Sequence, residues 1–561
     1  MSSITNPQLR MPGFNMQLNS APNVFDETIT AKWRNEIIQS GQDVTPKMMD
    51  WIIKELQWKA GIFQKTGLVP VFDVGVVKSD TAVSKELQQA LKDAVKPLEN
   101  IPEDQKDYHP GSDNKVVDLV HPSLFPVIYG RTRVLANRTI GLDDCISSVG
   151  QGDLLPVPSR ETCCAPKGIT DWPHAQRMEI PVFSEKFQWL PCDVELTHDA
   201  GCKIVSYINN IHPVEHKGLY TVVENIITQT IPLWNKSLSD VDGNRIVYES
   251  VEYGDHTEPE PTRPEKKNKK DANEEDGDEV VTEDSGDEDD EEEFWERKWQ
   301  WDITRPIVLP EPKEFKVLED RQIVDLRKQF PETKLQVIVK LANIELTPDK
   351  PEYEGGSWHI EGQLNERICA TAIYYYDSEN ITENTLSFRQ NGMEDMLDID
   401  YPQGQHQFLQ AIYGFGDDVD GSDETNVTQD LGGVVCQEGR LLTFPNTVQH
   451  CVSPFSLADR SKPGHRKILA LFLVDPHRRI ISSANVPPQR EDWGREREQV
   501  MDQVLSKLPV ELQTIVHSDI DPLMTMDEAK AHRLELMKER GLKSKRHNEK
   551  FEVGSFNLCE H

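Results

Sequence analysis

Two short segments carry residue types that together can hold a metal ion. Trp358-His359-Ile360-Glu361 sets an imidazole and a carboxylate two residues apart, and Asn446-Thr447-Val448-Gln449-His450 supplies a second imidazole far downstream. Two histidines and one carboxylate on one side of a metal leave other coordination positions open, which suits non-haem Fe(II) and its oxygen chemistry. A bare HxE triplet occurs by chance, and a lone histidine is more often a satisfied core or surface residue. The flanking sequence therefore has to decide.

The flanks read as strands. Residues 368–376 (ICATAIYYY) are rich in β-branched and aromatic side chains, so the HxE sits just ahead of a strand. His450 follows the apolar run 440–444 (RLLTF), which is broken at Pro445-Asn446, and it precedes a second short apolar run at 452–455. Residues 467–474 (KILALFLV) form a further run that opens directly after Arg466. Upstream, residues 335–346 (LQVIVKLANIEL) partly alternate and read as the strand feeding the site. The stretch from Asp377 to Asp430 is long and polar, so much of it is expected to be loop and to shape a substrate pocket.

In this order the pieces resemble the double-stranded β-helix oxygenases that use Fe(II) and 2-oxoglutarate, most closely the prolyl-hydroxylase-like branch. That branch has an HxD, a strand of the form TxIYYxN, a strand ending near a second histidine, and an arginine opening the next strand. This chain has His359-Ile360-Glu361, then Thr371-Ala372-Ile373-Tyr374-Tyr375-Tyr376-Asp377, then His450, then Arg466. The resemblance spans residues 335–490. It implies an α+β protein with a double-stranded β-helix (jelly-roll, cupin-like) core, a helical N-terminal region and flanking helices.

The same resemblance gives His359, Glu361 and His450 as metal-binding and catalytic residues, and Arg466 and Tyr375 as anchors for 2-oxoglutarate. A guanidinium suits that role because it can hold a carboxylate through two parallel charge-assisted hydrogen bonds. The blander readings are a surface arginine at a strand start and a tyrosine that is plain strand core. Since side chains alternate along a strand, Tyr374 and Tyr376 are expected to face away from Tyr375, outside the barrel. Glu361 stands where the branch has aspartate; keeping a carboxylate speaks against the halogenase variant. The gap from His450 to Arg466 is longer than usual, and Asp459, Pro463 and Gly464 within it read as an inserted turn.

The wider chain resembles a fungal family of uncharacterised proteins known as domain of unknown function 4246. The residues that carry this are Asp118 to Pro126 (DLVHPSLFP), Tyr129-Gly130-Arg131-Thr132-Arg133, the HIEG segment with Asn365-Glu366, and Val474-Asp475-Pro476. That family names no substrate.

Composition sets the frame. The chain has 561 residues, and 61 Lys+Arg against 96 Asp+Glu give a net charge of −35, which opposes direct binding to nucleic-acid phosphate. Without a long apolar run or a hydrophobic N-terminal signal, the expectation is no membrane and an intracellular location, cytoplasmic or nuclear. Nine cysteines without a CxxC pair fit a reducing compartment, and Cys163, Cys164, Cys192, His198 and Cys202 match no standard zinc spacing. Buried free thiols are the simpler expectation.

Charge is concentrated. From Asp271 to Glu293 there are fifteen acids and no Lys or Arg, so residues 256–293 read as a disordered acidic insertion able to dock a basic protein partner. The remaining divisions are a helical region over 1–120, an α/β segment over 121–255, the oxygenase-like core over 294–490 and a helical tail over 491–561. Thr45-Pro46 starts a helix with Met49, Ile52, Ile53, Leu56 and Ala60 on one face, and Val83, Leu87, Ala90, Leu91 and Ala94 form a second stripe. Thr525 and Glu528 make a capping box for a charged helix expected to stop at Gly541, ahead of a basic solvated tail. The pattern around His121-Pro122 reads as structural.

The functional expectation is an Fe(II)- and 2-oxoglutarate-dependent oxygenase acting on an unidentified small-molecule or protein substrate. Two alternatives keep the fold: a non-catalytic β-helix binding module with an acidic arm, and a cupin-like metalloenzyme that uses the triad without 2-oxoglutarate.

Overall fold

The structure is a computed structural model that describes residues 23–41, 44–163, 183–241, 250–263, 286–494, 507, 509 and 523–554. Short breaks fall at 309–310, 313, 318–319, 392–399, 403–404 and 416–424. Helix α1 (Pro46–Thr66) starts where the Thr45 side chain accepts a hydrogen bond from Met48 N and stops at Gly67 in a left-handed conformation. Strands β1 (Val69–Phe72) and β2 (Val76–Ser79) form a hairpin, and helix α2 (Lys85–Glu99) begins at a Ser84 cap. Strands β3 (Val116–Val120), β4 (Cys192–Leu196) and β5 (Cys202–Ile204) precede helix α3 (Lys217–Leu238) and helix α4 (Gly286–Ile303).

The remaining strands are β6 (Leu335–Leu346), β7 (Ile368–Glu379), β8 (Thr385–Asn391), β9 (Thr428–Val435), β10 (Leu441–Pro445), β11 (Gln449–Val452) and β12 (Gly464–Val474). Helix α5 (Met526–Glu552) is the last helix of the described residues, followed by a two-residue strand at Val553–Gly554. Nine strands form one antiparallel sheet in the order β1-β2-β10-β7-β12-β6-β4-β5, with β3 also paired to β6. A three-stranded antiparallel sheet, β9-β8-β11, faces it.

Both faces of the large sheet are covered, so its central strands carry apolar residues on both sides. On one face Leu335, Val337, Val339 and Leu341 of β6, with Tyr374 and Tyr376 of β7, pack against Val223, Ile227 and Trp234 of α3. On the other, Ile338, Ile373, Tyr375, Ala470 and Phe472 meet Leu386, Phe388 and Val434 of the small sheet. Truncating a residue such as Ile227 to alanine in such packing costs on the order of 2–5 kcal/mol. Only an inner-face side chain can reach the space between the sheets, which makes face assignment decisive for the site.

Several expectations change. The large sheet takes β1 to β5 from residues before 205, so no boundary at 294 isolates the core: strand pairing to β6 and β10 outweighs the chain distance. Helix α4 begins at Gly286, inside the segment expected to lack structure to residue 293. Its end is held because Phe294 is buried, Trp301 Nε1 donates to Glu258 O, and Lys298 pairs with Glu260. Residues 264–285, the bulk of the acidic run, lie outside the described residues. Strand β8 and the start of β9 fall within the stretch expected to be largely loop, and parts of the remainder are not described. Among the described residues, no helix is long and apolar enough to cross a membrane.

Candidate metal centre

His359 and His450 face each other across an isolated antiparallel bridge: His359 N donates to His450 O at 3.2 Å and His450 N to His359 O at 3.0 Å. Directly opposed residues of an antiparallel pair point to the same side, so this bridge brings both imidazoles together, 4.3 Å apart between ring centroids. His450 is also paired to Phe388 of β8, which faces the space between the sheets. Glu361 is placed by Asn446. Its side-chain oxygen accepts from Glu361 N at 2.8 Å, and its amide nitrogen donates to Glu361 O at 2.9 Å and Ile368 O at 3.1 Å. Gly362 then turns the chain at φ +67°, a left-handed conformation that favours glycine.

The resulting donors converge. Glu361 Oε1 lies 3.3 Å from His450 Nε2 and 3.8 Å from His359 Nε2, and one ligand atom from each of the three residues lies within 4.8 Å of the others. Two ligands each about 2.1 Å from a metal stand about 3.0 Å apart at octahedral angles and about 3.4 Å apart at tetrahedral ones. The 3.3 Å separation lies between these and the 3.8 Å one is slightly wider, so small side-chain shifts would bring the three groups onto a single metal ion. His359 Nδ1 donates to Ser357 O at 2.7 Å, which puts the proton on Nδ1 and leaves the Nε2 lone pair free for a metal.

Electrostatics agree. Burial, then the adjacent His450, holds His359 below the ordinary imidazole range, even though 36% of its side chain reaches solvent. Burial alone would raise Glu361, but the hydrogen bond with His450 and the charges of both rings bring it down to about 2. A neutral imidazole and an ionised carboxylate are the forms that bind metal. His450 Nδ1 is buried without a hydrogen-bond partner among the described residues, and the Phe444 ring packs 4.8 Å from the imidazole.

Arg466 and Tyr375 do not touch the triad, but they share its side of the sheet. Arg466 is opposite Ile344 of β6 and extends the inner-face row Ile468, Ala470, Phe472. It is buried, donates to Asn384 Oδ1 at 2.5 Å, and lies 4.8 Å from the Phe455 ring and 5.8 Å from that of Tyr375. Burial raises the Tyr375 hydroxyl well above its usual range, so it stays protonated. Tyr374 and Tyr376 sit on the opposite face, in the core under α3.

A second group, His109, Asp118 and His121, also gathers metal-ligand types. Its hydrogen bonds argue against a metal. His121 Nδ1 accepts from Ser123 N at 3.1 Å, so the neutral ring carries its proton on Nε2, and metal binding there would need an imidazolate. Asp118 already accepts from His109 Nδ1 at 2.8 Å and has the Arg533 guanidinium at 3.6 Å. The group anchors α5, whose Arg533 also holds Asp107 at 2.6 Å. Among the described residues Cys163, Cys192, His198 and Cys202 form no metal-ligand group, and the cysteines are free thiols.

Sequence reading missed α5 at the site. The helix runs through Gly541 to Glu552 because its distal half is held by tertiary bonds: Arg540 to Glu366 at 2.7 Å, Lys543 to Gln363 at 3.2 Å, and Arg389 to Glu552 at 2.6 Å. Those bonds offset the roughly 1 kcal/mol that a mid-helix glycine costs. Asn548 bridges the neighbours of both ligand histidines, donating to Trp358 O and accepting from Gln449, each at 2.8 Å. The segment expected to be a solvated basic tail is therefore part of this helix: Lys545, Arg546 and His547 are exposed, while Lys543 and the following Asn548 tie the helix beside the triad. A separate cleft of about 400 Å³, lined by Arg131, Thr132, Gln489 and Glu528 among others, contains no triad residue.

Fold and site define an α+β protein with two facing antiparallel sheets and a candidate two-histidine, one-carboxylate metal site. The chain belongs to the family described as Protein of unknown function (DUF4246), which matches residues 46–497. No curated protein matches it. Among solved structures it is similar to IDO from Bacillus thuringiensis, at 13% identity over 25% of this chain and 46% of that one, with a TM-score of 0.14. The Fe(II)/(alpha)ketoglutarate-dependent dioxygenase TqaL is similar at 14% identity over 25% of this chain and 42% of that one, with a TM-score of 0.15. Procruciferin, an 11S globulin from Brassica napus, is similar at 10% identity over 36% and 30%, with a TM-score of 0.12. This chain spans less than half of each, and likenesses of this size say nothing of activity.

Proposed function

We propose that the chain is an Fe(II)- and 2-oxoglutarate-dependent oxygenase whose facing sheets form a double-stranded β-helix. The observation that supports this best is the convergence of His359, Glu361 and His450 within 4.8 Å at the inner side of the sheets, with the His359 tautomer already set for a metal. When bound, iron would supply oxygen activation coupled to oxidation of the 2-oxo acid. The chain's part is placement. Asn446 fixes the Glu361 backbone, Phe388 and Phe444 keep apolar walls beside His450, and the buried Arg466 and Tyr375 offer donors for a carboxylate.

One observation favours the second reading, a metalloenzyme that uses the triad without 2-oxoglutarate: an Arg466 nitrogen is already engaged by Asn384. The two readings part on co-substrate consumption. Anaerobically loaded with Fe(II) and then exposed to oxygen, the protein should release succinate from 2-oxoglutarate, slowly alone and faster when a screened compound is a substrate. Metal binding without any succinate release across a broad metabolite and peptide screen would favour the second reading.

A further inference from the structure

The inner face of β6 carries a cation with no partner. Lys340 lies between Ile338 and Ala342 on that face, is half-buried, and makes no hydrogen bond or ion pair among the described residues. Its other polar inner-face neighbour behaves differently: Gln336 is satisfied in both directions by Ile480, through bonds of 2.8 and 2.9 Å. An ammonium partly removed from water and left unpaired is costly unless an anion joins it.

The surroundings are built for such an anion. Lys340 is paired to Ala470 of β12, a small residue, and Ala470 is paired in turn to Ile373 of β7. One inner-face step along β7 stands Thr371, fully buried, with its hydroxyl lacking a hydrogen-bond partner among the described residues. Thr371 is opposite Phe444, the residue packed on His450, so Lys340 and Thr371 share the face of the sheet that carries the triad's neighbours. The charge of Lys340 reaches His359 and Glu361, and it also reaches His121 and the buried Asp118 carboxylate opposite Ala342, which Arg533 and His109 already engage. Arg466 is a different position: its partner Ile344 lies four residues along β6 from Lys340.

We propose that Lys340, with the Thr371 hydroxyl as a second donor, forms a carboxylate-binding subsite next to the triad and distinct from Arg466. Deepening the oxygenase reading, it assigns a carboxylate-bearing ligand to the space between the sheets. The carboxylate comes either from the 2-oxo acid co-substrate or from the substrate itself; the chemistry of recognition is the same.

The test uses the full chain, wild type and the variants Lys340→Met, Lys340→Arg and Arg466→Met, each checked for its melting temperature. Calorimetry would follow Mn(II), then 2-oxoglutarate on the Mn(II)-loaded protein, then glutarate with 2-oxoglutarate saturating. Lys340→Met should melt no lower than wild type, since it removes an unpaired charge, and should bind Mn(II) within threefold. It should weaken 2-oxoglutarate at least tenfold if the co-substrate is the source, or glutarate at least tenfold if the substrate is. Lys340→Arg should recover part of the loss. Equal binding of both probes in wild type and Lys340→Met, or binding of neither by wild type, would overturn the subsite. Failure of wild type to bind Mn(II) would overturn the metal reading instead, and Lys340-dependent glutarate binding would still decide the subsite.

Discussion

At the residue scale the site depends on groups that hold ligands as much as on the ligands. His359, Glu361 and His450 were legible because their types and order are unusual and strands flank them. Asn446 was not singled out, since an asparagine after proline reads first as a turn residue; its three bonds to Glu361 and Ile368 appear only when the two segments meet. Lys340 was hidden for a related reason: one polar residue in an apolar run shows its face only once strand register is known. Asn446→Ala removes partners from two buried backbone groups of Glu361, so metal affinity should fall by roughly ten- to a hundredfold, the usual effect of losing a supporting contact. Asn446→Asp, which keeps one acceptor oxygen, should fall between. A titration showing the alanine variant binding metal like wild type would remove Asn446 from the site.

At the element scale the long strands were readable from composition, and β6 spans the residues expected of it. Helix α5 was readable at its start, where Thr525 and Glu528 cap each other through bonds of 3.0 and 3.2 Å, but not at its end. Local propensity stops the helix at Gly541; long-range bonds to Gln363, Glu366 and Arg389 carry it on. Glu366 shows how firmly. Fully buried, it accepts from Trp189 N at 2.9 Å, Gln363 N at 2.6 Å and Arg540 at 2.7 Å, while the Arg540 guanidinium stacks 3.7 Å from the Trp189 ring. Removing one partner of a buried ion pair costs on the order of 3–5 kcal/mol, so Glu366→Ala should lower the unfolding free energy read from a urea titration by an amount in that range. A change under about 1 kcal/mol, the worth of an exposed pair, would show that α5 is only loosely docked.

At the scale of the whole molecule, composition told of charge but not of how far the sheet gathers strands, because β1 to β5 are short and the pairings that join them to the core, β2 to β10 and β3 and β4 to β6, are distant in sequence. Buried titratable groups link the assembly to pH, His121 among them. Burial holds His121 well below the usual imidazole value, so below about pH 6.5 the unfolded chain takes up a proton that the folded one refuses. Stability therefore falls as pH drops, by up to about 2 kcal/mol from this group between pH 6.5 and 5. Asp118 acts lower: burial alone would raise it, but His121 and His109 bring it down to about 2, so its contribution persists until pH falls below about 4. His121→Asn, whose side-chain oxygen can still accept from Ser123 N, should flatten the pH 5–6.5 slope of unfolding free energy. An unchanged slope would place the effect elsewhere.

The claim on which the rest depends is that two segments far apart in sequence bind one metal. Anaerobic calorimetric titration with Fe(II) tests it most directly, using the full chain beside Glu361→Ala and His450→Ala. Wild type should bind one equivalent and melt higher when loaded, because a ligand of the folded state at a hundred times its Kd adds about 2.7 kcal/mol. His450→Ala should lose tight binding, and Glu361→Ala should weaken it strongly, each losing the metal-induced rise in melting temperature. Equal Fe(II) affinity in all three proteins would contradict the metal centre.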